Sequence, residues 1–194
     1  MAPSERPHEA SPGLEIDALA ILESPAHAAA GGSGAALAGA LAAAVVAKAA
    51  RLSERPGAAA QAVSLRDRLM RFADADATAL REARAALARR EPEGVGPQRD
   101  FELGSLLRRA MIVPCSIGEA CADVAELAAE ERETVAPDQR ADLAAAASIA
   151  AGAAQAAAHL VVVNLVAMPD DVEVADAQRF AARAADIARL FGPI

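Results

Sequence analysis

Two aspartates stand among small apolar residues where a carboxyl could do acid–base work. Asp76 lies between alanines in the run Phe72-Ala73-Asp74-Ala75-Asp76-Ala77, and Asp142 precedes the alanine-rich stretch that begins at Leu143. A carboxyl drawn into an apolar bundle resists ionisation, so its pKa rises and it can take up and release a proton at useful pH. Each has a structural alternative. Asp76 would otherwise belong to a solvated helix face beside Asp74 and Arg71, and Asp142 would be a first-turn acid favoured by the helix dipole.

Other polar groups could hold a ligand. Gly31-Gly32-Ser33 at a helix start exposes backbone N–H groups at the positive end of the dipole, suited to an anion or a carbonyl oxygen. Ser33 can donate to a ligand or simply cap the helix. Asn164 is set in a very apolar segment, so its amide needs partners, across the bundle or on a substrate. Arg51 could grip a carboxylate through two parallel hydrogen bonds, or only satisfy a helix C-terminus. Arg109, beside Arg108, reads as a solvated face with anion contact as the alternative. Glu119 reads as a surface or interhelical acid, and Lys48 as a surface amine whose stem snorkels over alanines. Cys115 and Cys121 are spaced unlike zinc ligands, and the three histidines form no metal motif, so no metal site is expected.

The elements that must position these groups are helices. Hydrophobic residues make up 54% of the chain and aromatics 2%, so the apolar content is chiefly alanine, the strongest helix former. The fold class expected is all-α, an up-and-down bundle of about six helices. A tail over 1–13 precedes a single domain over 14–194, a division that suits 194 residues. Helices are expected near 14–22, 34–52, 58–89 and 101–133, the last broken or kinked at Pro114. Residues 28–34 read as a glycine-containing turn and Pro56-Gly57 as a helix stop. The segment from Glu91 to Pro97 reads as a loop. Asp138 is placed to cap a buried helix at the centre of the bundle, running to about Val166. A last helix begins at Asp170 or Asp171 and stops before Gly192-Pro193. Gly39, Ala43 and Ala47 recur on one face, permitting close helix contact, and such Gly/Ala faces often bury a second copy, so a homodimer is expected.

A net charge of −8 argues against a nucleic-acid partner, which needs a basic stripe. The charge-free stretch from Leu143 to Met168 is interrupted by Gln155, His159 and Asn164, and reads as a buried helix rather than a membrane span. The first residues hold no apolar signal core. With two cysteines read as buried hydrophobes, the expected place is the cytoplasm.

Four stretches, in matching order from about Gly13 onward, resemble the cyclodeaminase/cyclohydrolase family of folate enzymes. Gly31 to Leu41 is similar to that family's glycine-rich run and the alanine-rich helix after it. Ala110-Met111-Ile112-Val113-Pro114-Cys115 is similar to its Ala-x-x-Val-Pro entry to a middle helix. Asp142 and Asn164-Leu165 keep the separation of its Ser-Asp and final Asn-Leu, and Asp76 with Ala79 matches an Asp-x-x-Ala position. Departures accompany these matches. Ala29 and Ala30 replace Pro and Gly, Arg51 replaces an asparagine, Ala141 a serine and Leu160 an asparagine, and a lysine-rich segment has no counterpart after Ser53.

The resemblance implies ring opening or closing at an amidine or iminium carbon, with no cofactor required and a tetrahydrofolate derivative as the substrate. Asp76 or Asp142 would stabilise the cation and serve as acid or base. Gly31, Gly32, Ser33, Arg51, Arg109 and Asn164 would contact the small-molecule substrate. The altered polar positions open a second reading, a cyclase that condenses an amine with a carbonyl compound through an iminium in specialised metabolism. A third is a non-catalytic helical dimerisation or binding module.

Overall fold

The structure, a computed structural model, describes residues 17–25, 31–88, 97–164 and 172–192. Six α-helices account for nearly all of them, and no strand occurs among the described residues. They are α1 (Asp17–Glu23), α2 (Gly31–Leu52), α3 (Pro56–Ala88), α4 (Pro97–Glu131), α5 (Arg140–Asn164) and α6 (Val172–Arg189). The expected tail, the 91–96 part of the loop and the start assigned to Asp170 or Asp171 lie outside the described residues.

Alanine sets the packing. The main core is built from residues such as Ala36, Ala43, Ala122, Ala150 and Ala154, with Leu69, Ile117 and Leu143 as its larger members. Small side chains bury little area each, so contact must come from close approach of backbones. Gly39 shows how close: a Cβ there would stand 2.5 Å from Cys121 Sγ and 3.2 Å from Leu69, so α2 can meet α3 and α4 only without a side chain at that point.

Helix α4, rather than α5, holds the central place, packing against α2, α3, α5 and α6. Its second half supplies Ile117, Ala120, Cys121, Val124 and Ala128, all fully buried. The expectation of a surrounded α5 fails because apolarity on every side does not mean burial on every side. Leu41 of α2 and Ile149, Val162 and Val163 of α5 are exposed, as are Gly152 and Ala156 between them. Of the two outcomes expected at Pro114, the break does not occur: the proline lies fully buried inside α4, which continues through it.

The connections follow local chemistry. Pro56, read as a stop for α2, opens α3, where its missing N–H costs nothing. Between them Glu54 takes a left-handed φ of 57°, and Arg55 N–H returns to Ala50 O at 2.8 Å, closing α2. Arg55 then reaches Glu131 at the end of α4 through two hydrogen bonds, of 3.0 and 3.3 Å. Thr134 donates to the same carboxylate at 2.9 Å, and Ser53 Oγ accepts from Ala136 N–H at 3.1 Å. Asp138 falls inside a 3₁₀ turn, Pro137–Gln139, whose cap is Ala136, and so does not cap α5.

Candidate active site

Helix α2 starts at Gly31, three residues earlier than the sequence suggests, so Gly31, Gly32 and Ser33 form its first turn instead of a preceding loop. Helix α3 runs alongside and presents Asp76 to that turn. Among the described residues the buried polar side chains are Ser33, Asp76 and Glu131, at 3%, 5% and 6% exposure. Glu131 is claimed by Arg55 and Thr134. Ser33 and Asp76 claim each other.

The contact is close on every side. A methyl at Gly32 would overlap the Asp76 carboxyl, so the glycine is what lets α3's side chain lie against α2's backbone. Ser33 Oγ stands 2.9 Å from Ala73 O and 3.2 Å from Asp76 Oδ2. A hydroxyl has one proton. The Ser33 hydroxyl can give that proton either to the Ala73 carbonyl or to Asp76 Oδ2, both within reach. Burial pushes the Asp76 carboxyl above the usual range, while the hydroxyl and backbone N–H of Ser33 pull it back only in part. The arrangement is a buried carboxyl with a raised pKa at the positive end of a helix, with no counter-cation paired to it among the described residues.

Cavities flank this turn on both sides. On the α5 side, Gly31 joins Gly152, Gln155, Ala156, His159 and Leu160 around an open groove of about 480 Å³. On the α1 side, Ser33 and Asp74 line a cavity of about 210 Å³ with Ile21, Leu22, Leu37 and Met70. Gln155 and His159 are site-lining residues that sequence reasoning passed over. Their signal was present, since two polar groups four apart in a charge-free helix share one face.

The other expected site residues are dispersed. Asp142 lies 3.9 Å from Lys48 Nζ in a half-exposed pair. Lys48 is sixteen residues along α2 from Gly32, roughly 24 Å at about 1.5 Å per residue, so one chain does not bring Asp142 to Asp76. Arg51 is exposed in the last turn of α2, at that same far end. Arg109 pairs with Glu82 of α3 at 3.1 Å, on the surface. Asn164 is the final residue of α5, one turn past Leu160 and hence at the Gly31 end; its side chain is outside the described residues. Glu119 bonds to Arg68 at 2.9 Å, as an interhelical acid would. Neither thiol is a ready nucleophile, because burial pushes Cys115 up to about 11 and Cys121 to about 12.

The described helices form a bundle in which a buried carboxyl lies against the glycine-rich start of α2. The sequence profile of the family described as formiminotransferase-cyclodeaminase matches residues 16–183, and the chain belongs to that family. Among solved structures it is similar to the formiminotetrahydrofolate cyclodeaminase of Thermotoga maritima, at 18% identity, a TM-score of 0.74, and coverage of 92% of this chain and 94% of that one. At that identity the likeness speaks for the fold. No curated protein sequence matches the chain.

Proposed function

We propose that the chain is an enzyme acting at an amidine or iminium carbon, opening or closing a ring, with Asp76 as its acid and base. The observation that carries this reading is the buried Asp76–Ser33 pair against Gly32 in a chain of cyclodeaminase type. A neutral Asp76 gives a proton to the departing nitrogen. Once ionised it stabilises the cationic carbon and takes the proton back from the attacking water or amine. Ser33 fixes the carboxyl's orientation, and the α2 N-terminus limits the cost of the charge.

The substrate named for the Thermotoga protein, a formiminotetrahydrofolate, gives the first trial. Hydrolysis of methenyltetrahydrofolate, followed by loss of its near-ultraviolet absorbance against a buffer-only control, should be accelerated by the protein. Absence of acceleration by folded protein would remove methenyltetrahydrofolate as a substrate. A condensing cyclase is the second reading, favoured by one observation: the larger cavity on the α1 side is walled by apolar side chains apart from Arg66. A pterin's ring nitrogens would go unpaired against such walls, at about 1–3 kcal/mol for each.

A second copy of the chain would cover the exposed apolar residues of α5, among them Ile149 and Val163, which are 41% and 63% exposed in one chain. Light scattering should give the mass of a dimer, and Ile149→Glu should return the monomer.

A further inference from the structure

The apolar side of the candidate site specifies more than shape. A cavity of about 350 Å³ lies between α1, α2 and α3, walled by Leu19 and Leu22, Leu37 and Leu41, and Met70, with Arg66 as its charged lining residue. It adjoins the 210 Å³ cavity at Ser33 and Asp74, the two sharing Leu22, Leu37 and Met70 as walls. Volumes of this order are those of small-molecule sites, which are mostly apolar with a few convergent polar groups.

The charges at the two ends are not equivalent. The Arg66 guanidinium is already held by Asp67 through hydrogen bonds of 2.8 and 2.9 Å, so it offers little to an anion. The charged residue lining the Ser33 end is Asp74, with Asp76 directly behind the Ser33 hydroxyl. The pattern is an apolar trough with one exposed carboxylate, Asp74, at its Ser33 end. Its complement is an apolar chain carrying a basic nitrogen.

We infer that the adjoining cavities bind a small amphiphilic amine, its apolar body along Leu22, Leu37 and Met70 and its nitrogen at Ser33 and Asp74. This rests on the reading of Asp76 and Ser33 as the reacting pair, and it adds the substrate class: Ser33, which lines the cavity and bonds Asp76, is the link between the bound nitrogen and that carboxyl. The trough selects by apolar length, and Asp74 selects for positive charge.

The test is calorimetric titration of the full chain with n-alkylamines from butylamine to octylamine, against alcohols of the same length. Each added methylene buried in the trough should tighten binding about fourfold until the cavity is filled. Amines should bind at least about tenfold tighter than the matching alcohols, a preference that Asp74→Asn reduces. Gly34→Leu fills the larger cavity from α2. A Cβ at Gly34 meets nothing within 4 Å, and leucine is the better helix former, so the fold is kept. This variant should weaken octylamine binding at least about tenfold with no fall in the thermal midpoint. Absence of saturable amine binding, equal affinity for the alcohols, or unchanged binding in Gly34→Leu would each overturn the inference. Binding needs no turnover, so the two readings fail separately. Amine binding without methenyltetrahydrofolate hydrolysis removes only the folate substrate, and hydrolysis that octylamine leaves unaffected, with no amine bound, removes only the trough.

Discussion

Gly32 on α2 and Asp76 on α3 share one volume: the space a methyl would fill at the glycine is already taken by the carboxyl of the aspartate. The glycine here serves the neighbour's side chain, since no positive φ at position 32 calls for one.

Gly32→Ala should therefore act on the site before it acts on the fold. The methyl forces the Asp76 carboxyl away from Ser33 or pushes α2 off α3, at about 1–3 kcal/mol, as overpacked cores cost. Urea unfolding will give the stability loss, and turnover should fall at least about 10²-fold, since the carboxyl loses its orientation. Unchanged turnover would mean that this contact does not position the reacting group.

Asp76→Asn should stabilise the protein near neutrality while removing its chemistry. Burial holds the folded-state pKa above its ordinary 3.8, so the native chain keeps a proton that the unfolded chain gives up. Stability of the parent therefore declines as pH rises from about that value, and levels off above the raised pKa. The asparagine variant lacks this decline, and its amide oxygen can still accept from Ser33 Oγ. Thermal midpoints measured from pH 4 to pH 8 should thus diverge with rising pH, the variant being the higher. Midpoints that run parallel would show that Asp76 is not held protonated by its surroundings.

The Arg55–Glu131 clamp predicts the opposite slope. Burial alone would raise the Glu131 pKa, yet hydrogen bonds from Arg55 and Thr134 together with the Arg55 charge hold it below its ordinary 4.5. Its contribution is complete above that pH and is lost as pH falls through the lowered folded-state value. Glu131→Gln should destabilise the protein at pH 7 and flatten its acid limb. An acid limb as steep as the parent's would assign acid sensitivity to other carboxylates.

Composition was enough for the bundle, because alanine with glycine and proline punctuation leaves little else to build. The boundaries near glycine were misplaced. Residues 31–33 carry weak helix propensity, and only packing against Asp76 and Leu160 brings them into α2. Half of the candidate residues named from the sequence come together in one chain. Asp76, Gly31, Gly32 and Ser33 do converge, whereas Asp142, Arg51 and Arg109 do not, since helical period gives a residue's face but not which end of a neighbouring helix it meets. Centrality was misjudged for a related reason. The apolar face of α5 and the buried face of α4 contain the same residue types, and only the order of packing separates them.

The most direct measurement is the turnover of methenyltetrahydrofolate by the parent and by Asp76→Asn, with circular dichroism confirming equal helicity. The buried pair predicts a fall of at least about 10²-fold in the variant, down toward the buffer rate. Hydrolysis by Asp76→Asn at the parent rate would contradict the assignment of Asp76 as the acid and base.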